Sequence, residues 1–296
     1  MNRLTGQPAN ALLSMNEILI AIILGIVEGL TEFLPVSSTG HLILAGNWLD
    51  YTGEKANAFS IFIQLGAMLA VIGYFRQRIW RVLMTILGKP VADNPLGLTP
   101  ETARRFLLGV GLAFVPAALA GLLFENIIET VLFKPQPVAL ALIVGGVAIL
   151  LIEKFRPAAK TETAESISLS QAVWIGVAQC AALIPGMSRS ASTIMGGLLK
   201  GLSHAAAAEF SFFLSIPTLG AASLYKLFDV APLLSADDAA VFAVGFFVSL
   251  IVAWVVIAVF MSFIKRHSFA VFAWYRIIFG FAILLMIWLG MEIRVN

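Results

Sequence analysis

Six apolar runs, each close to the length of a bilayer crossing, leave this chain few folds to choose from. They cover residues 58–75, 105–124, 136–152, 208–225, 239–264 and 269–290, and a helix needs about 20 apolar residues to cross the hydrocarbon of a membrane. Lipid offers no water to satisfy backbone N–H and C=O groups, so runs of this length must be helices. Composition agrees, because 60% of the 296 residues are hydrophobic and only 12% are charged, about half the charged share of a soluble domain. The expectation is an all-α integral membrane protein. A net charge of +2 without basic runs argues against nucleic acid as a partner. The single cysteine, Cys180, allows no internal disulfide, and His41, His204 and His267 are too scattered for a local zinc motif. No cleaved leader is expected, since Arg3 is the only basic residue before Glu17 and the first apolar run carries Glu28 and Glu32.

Two further apolar regions fail as simple spans. Residues 17–49 and 171–200 are each broken near the middle by proline and small polar residues. Each reads as a re-entrant hairpin, two short helices that enter and return, which is tolerated only where protein or a wet cavity shields the turn. Loop charges give the orientation. Arg76, Arg78, Arg81, Lys89, Arg104 and Arg105 face only Asp93 and Glu101 in the 76–105 segment, which is therefore expected in the cytoplasm. Counting spans puts 125–135 and 226–238 outside and 153–170 and 265–268 inside. The first hairpin then enters from the external face, the second from the cytoplasm, and their tips oppose each other.

Opposed hairpins suggest an inverted repeat. Gly25-Ile-Val-Glu28 precedes Gly176-Val-Ala-Gln179 by 151 residues, as Phe59-Ser60 precedes Phe210-Ser211, and Gly146-Val-Ala148 precedes Gly280-Phe-Ala282 by 134. The order hairpin, span, span, span occurs twice, and an odd number of spans inverts the second copy. The expected division is a first repeat at 1–156, a cytoplasmic linker at 157–170 and a second repeat at 171–296, all within one membrane domain.

The chemistry gathers at the two turns. Glu28 and Glu32 stand four apart and share a helical face, and Pro35 ends that helix before Ser37-Ser38-Thr39-Gly40-His41. A carboxylate in mid-membrane costs roughly 2.5–3.5 kcal/mol, so two of them imply a partner or a water-filled pocket. The second turn, Pro185-Gly186-Met187-Ser188-Arg189-Ser190, offers a guanidinium instead, a group suited to bidentate phosphate recognition; pairing of Arg189 with Glu28 or Glu32 is the structural alternative. Second helices starting at His41 and near Ser190 would aim two N-termini at an anion. Gly25 and Gly29 suit close helix approach. Lys226, Asp237 and Asp238 read as solvated ends, and Arg276, two turns into its span, as a side chain able to snorkel to the cytoplasm.

Glu28-Gly-Leu-Thr-Glu32-Phe-Leu-Pro-Val-Ser-Ser38-Thr-Gly-His41 together with Pro185-Gly-Met-Ser188-Arg189-Ser resembles the two signature segments of the bacterial undecaprenyl-diphosphate phosphatases, the bacitracin-resistance family, over about residues 17 to 290. The resemblance implies loss of the terminal phosphate from a polyprenyl diphosphate in the bacterial cytoplasmic membrane, dependence on a divalent cation, magnesium before calcium, and bacitracin resistance. It assigns Glu28 and Glu32 to the metal, Ser38 and His41 to the hydroxyl and imidazole, and Ser188, Arg189 and Thr193 to the phosphate-binding turn, with Ser37 and Thr39 beside them. Ser190-Ala191-Ser192 replaces a common Ser-Gly-Ala. On this reading Ser38 attacks with His41 as base, or a water activated by His41 or a glutamate does; Glu32 and Arg189 complete the catalytic set. The site is expected to open to the external, periplasmic side, and the chain to associate with membrane lipids, with a homodimer possible. The phosphatidate-phosphatase-like pattern is excluded, because Met195 stands where its last His belongs and Ile149 where its Lys belongs. A polyprenyl-phosphate transporter or flippase is the rival from another class.

Overall fold

The computed structural model describes residues 8–89, 94–95, 97–230 and 238–294, without the side chains of 8–14, 129, 227 and 229–230. The expectations attached to Arg3, Asp93 and Asp237 lie outside it. Among the described residues eleven α-helices follow one another: α1 Pro8–Thr31, α2 Ser38–Trp48, α3 Glu54–Tyr74, α4 Arg76–Ile86, α5 Pro100–Ile127, α6 Pro135–Phe155, α7 Leu169–Gln179, α8 Arg189–Leu199, α9 His204–Val230, α10 Asp238–Phe263 and α11 Ala270–Trp288. There is no β-strand among the described residues, and six helices, α3, α5, α6, α9, α10 and α11, contain stretches long and apolar enough to cross a membrane. They coincide with the six runs read from sequence. Bulky side chains that face away from the bundle, such as Leu123, Phe228 and Trp288, are more than three-quarters exposed, as lipid-facing positions should be.

The broken regions form helix pairs, α1 with α2 and α7 with α8, an arrangement compatible with the hairpins and repeat inferred above. Over the described residues the first helix already runs from Pro8, ahead of the expected residue 17. α1 packs on α10, and α7 packs on α5. The repeat expected from sequence would exchange these pairs. The same glycine makes both contacts possible: a Cβ on Gly25 would lie 2.7 Å from the Gly245 carbonyl oxygen of α10, and one on Gly176, its counterpart in the second copy, 2.5 Å from the Ala113 carbonyl oxygen of α5. Larger residues would push these helices apart.

Residues 157–170 are less of a free linker than their polarity suggests. Ala164 and Ile167 are fully buried, and Thr161 forms an isolated bridge to Leu202. Glu165, 2% exposed, takes both ends of the Arg78 guanidinium, whose Nη1 also meets Glu209 at 2.8 Å. Burial opposes the Arg78 charge, but the two carboxylates outweigh it and hold its pKa above the ordinary arginine value.

Candidate active site

The turn within each helix pair ends in a strained serine. Ser37 has φ 71° and Ser188 φ 69°, values that a non-glycine residue adopts at a cost. They sit at equivalent places, each immediately before the second helix of its pair. The helices therefore start at Ser38 and Arg189, three residues before His41 in the first case, because the strained residue ends the turn at once.

The turns meet. Ser190 Oγ donates to the Leu34 carbonyl at 2.8 Å, tying the second turn to the first. Ser38 Oγ donates to Oε2 of Glu32 at 2.6 Å, and Nη2 of Arg189 donates to Oε1 of the same carboxylate at 3.0 Å. Glu32 thus binds the hydroxyl of one turn and the guanidinium of the other. Arg189 lies over the Phe33 ring at 5.5 Å, and its Nη1 reaches the carbonyl and hydroxyl of Ser211 at 3.1 and 3.3 Å. Its Nε–H is buried without a protein acceptor. The alternative pairing considered for Arg189 is present, and the same group keeps a donor for another acceptor.

Two cavities adjoin this junction. The first, about 570 Å³, is lined by Glu32, Ser37, Ser38, Thr39, Ser188 and Arg189 and continues along an apolar wall of α5 and α9 that includes Phe114, Leu122 and Leu219. The second, about 580 Å³, is lined by Glu28, Ser38, Thr39, Asn57, Ser60 and Gln64. Glu28 is 1% exposed, and neither of its carboxylate oxygens has a hydrogen-bond partner. A carboxyl buried without partners holds a charge only when a cation joins it. No group of three or more His, Cys, Asp or Glu able to hold a metal occurs among the described residues. A hard ion there would rely on Glu28, on neighbouring amide and hydroxyl oxygens, and on the substrate, which is how magnesium is commonly held. Glu32 fits less well, since Ser38 and Arg189 already occupy its two oxygens.

Two sequence-assigned residues stand elsewhere. His41 Nδ1–H donates to the Ser37 carbonyl at 2.7 Å, which leaves Nε2 to accept from the Tyr275 hydroxyl at 2.6 Å, and the ring stacks on Phe279 at 4.3 Å. It holds the strained turn, while the acceptor on Ser38 is Glu32. Thr193 is 1% exposed, with its hydroxyl 2.7 Å from Ser211 Oγ, so it supports the residue that positions Arg189. Neither residue lines the two cavities.

Other residues went unassigned in the sequence. Arg276 does not snorkel. It is fully buried, and it donates to the carbonyls of Pro35, Gly186 and Met187 in the two turns and of Ala141 and Leu142 in α6, at 2.9–3.3 Å. Asp238 is not a solvated end either, being 7% exposed and paired with Lys55. Lys226 lines both cavities. For Ser211 the signal was the repeat itself, which sets it against Ser60 of the second cavity.

Sequence comparison agrees with the geometry. The profile of the family described as bacitracin resistance protein BacA matches residues 21–282. A Chromobacterium violaceum protein called undecaprenyl-diphosphatase 1 is 53% identical over 272 residues, covering 92% of this chain and 97% of that protein. Proteins called undecaprenyl-diphosphatase from Ectopseudomonas mendocina and Nitrosomonas europaea are 50% and 47% identical, covering 89% and 93% of this chain and 92% and 96% of their own lengths.

Proposed function

This chain belongs to the bacitracin resistance protein BacA family, and we propose that it hydrolyses undecaprenyl diphosphate to undecaprenyl phosphate and inorganic phosphate. The reaction recycles the lipid carrier of cell-wall synthesis and thereby confers bacitracin resistance. The observation that carries the mechanism is the shared carboxylate: Glu32 accepts the Ser38 proton and anchors Arg189 in one cavity. Ser38 Oγ attacks the terminal phosphorus as its proton passes to Glu32. The bond from that phosphorus to the bridging oxygen breaks, and undecaprenyl phosphate departs with the bonding pair. Water then cleaves the phosphoserine, releasing phosphate and restoring the hydroxyl. The unpaired Nε–H of Arg189 and the N-termini of α2 and α8 supply donors for the oxygens of the transferred group, where most phosphoryl-transfer catalysis lies. Ser37, Thr39 and Ser188 line the same space and bind the headgroup, while His41 and Thr193 hold the turn and the guanidinium support. A magnesium ion, or calcium in its place, would be held chiefly by Glu28, with Glu32 contributing less, and would neutralise diphosphate charge when bound.

The apolar wall beyond the polar end suits a polyprenyl chain. The site opens to the external side of the cytoplasmic membrane in this reading, supported by the cavity residues Glu125, Ile128 and Lys226, which lie in segments that loop charge assigns to that side. The test is phosphate release. Purified protein in detergent, with no membrane to cross, should release inorganic phosphate from a polyprenyl diphosphate, and Ser38→Ala should abolish release. A silent wild-type protein would overturn the reading in favour of translocation, and an active Ser38→Ala would replace the serine by a water activated at Glu32.

A further inference from the structure

Lys226 is a cation common to both cavities. It borders the first with Glu32, Ser38 and Arg189, and the second with Glu28. Its ammonium donates to Oε1 of Glu125 at 2.5 Å, and the Tyr225 hydroxyl donates to Oε2 of that carboxylate at 3.4 Å. Both partners are about one-third exposed, 32% for Lys226 and 31% for Glu125, and Glu125 also lines the first cavity. The pair therefore joins the ends of α5 and α9 at a rim that water reaches. The charge inside the rim is poorly balanced for an anion. Glu28 and Glu32 are both acidic, and Arg189 gives one of its nitrogens to Glu32.

We propose that Lys226 binds the lipid-side phosphate of the diphosphate, leaving Glu125 for a phosphate oxygen as the headgroup enters. This rests on the phosphatase reading and adds a substrate-binding residue to it. The orientation follows from the cavity. The terminal phosphorus must lie against Ser38 and Arg189 at the turns, so the phosphate attached to the lipid extends towards the α5 and α9 wall that carries Lys226. Exchanging a carboxylate oxygen for a phosphate oxygen keeps the ammonium paired throughout, so the lysine is not left unpaired beside apolar side chains. The resting pair with Glu125 competes with the substrate, and its removal should favour binding.

The experiment uses the full chain in detergent as wild type, Lys226→Met, Lys226→Arg and Glu125→Gln. It reads phosphate release, thermal unfolding and the affinity for a non-hydrolysable methylene-bridged polyprenyl diphosphate. Lys226→Met should raise KM about tenfold, the effect of losing roughly one charged hydrogen bond, with kcat within about threefold. It should weaken analogue binding in proportion. Lys226→Arg should restore most of both, and Glu125→Gln should bind the analogue at least as tightly as wild type. Equal weakening in Lys226→Met and Glu125→Gln, or unchanged binding in both with a shared loss of thermal stability, would make the pair a staple between α5 and α9 and overturn the proposal. A wild type that binds the analogue through Lys226 but releases no phosphate would defeat the phosphatase reading alone.

Discussion

Arg276→Met should disable the site by loosening both turns at once. The carbonyls of Pro35, Gly186 and Met187 lie outside regular helix, and Arg276 supplies a donor to each at 3.3, 3.0 and 2.9 Å. No other protein hydrogen bond reaches these three oxygens among the described residues. The α6 carbonyls of Ala141 and Leu142 keep their helical donors, so they lose little. Stranding a buried acceptor costs about 1–3 kcal/mol. Gly186 borders the first cavity, where water can compensate, which favours the lower end and a total of about 3 kcal/mol. For a domain of this size that corresponds to roughly 6–12 °C in unfolding temperature. Activity should fall further than stability, because these turns place Ser38 and Arg189 relative to Glu32. Arg276→Lys, with three donors on a point charge, should recover part of the stability and little of the activity. Differential scanning in detergent alongside phosphate release gives both numbers. An Arg276→Met protein that unfolds within about 2 °C of wild type and turns over normally would show that the five hydrogen bonds do not set the turns.

Glu28→Gln should weaken divalent-cation binding, read as a shift of the magnesium titration to higher concentration, whereas Glu32→Gln should remove most turnover by losing the Ser38 acceptor; identical titrations in wild type and Glu28→Gln would sink the metal assignment. Arg189→Lys should cost at least about 100-fold in turnover with little change in unfolding temperature, since an ammonium cannot span Glu32, Ser211 and a phosphate at once; near-normal turnover would reduce Arg189 to an ion-pair partner. For sidedness, Asn57→Cys in a Cys180→Ser background should react with a membrane-impermeant thiol reagent in intact cells while Thr99→Cys is protected; the reverse pattern would invert the topology.

The spans were legible because lipid allows one answer to a run of about 20 apolar residues, and the turns because proline there is joined by a cluster of Ser, Thr and Gly residues, whereas the lone Pro116 and Pro217 are carried inside α5 and α9. Partners across the fold were less so. Hydropathy treats a basic residue near a span end as free to snorkel, yet the depth of Arg276 is set by α6, where a Cβ on Gly145 would fall 2.0 Å from the Arg276 Nη2. Gly145-Gly146 was the trace of that passage in the sequence, but only the packing of α6 against α11 shows which side chain uses it. The hydrogen-bond acceptor of Ser38 was hidden for a similar reason. His41 is nearer in type to a general base, but a carbonyl exposed by the strained Ser37 turn captures it, and Glu32, six residues before Ser38, curls back through the same turn.

The two turn regions that the sequence sets against each other differ at one buried position. Gln179 occupies the place in α7 that Glu28 occupies in α1, and both are 1% exposed. The Gln179 amide oxygen accepts from Thr218 at 3.3 Å and its Nε2 donates weakly to the Ala113 carbonyl at 3.5 Å, so the neutral residue is satisfied within the protein. Glu28 has no such partners. Burying an unpaired anion is a cost that packing alone does not repay, so a fold selected only for stability would favour glutamine at both places. A carboxyl at Glu28 is in keeping with the proposed cation site, since it shares a cavity with Ser38, while the Arg189 guanidinium, held by Ser211 and Glu32, meets the first turn from the second.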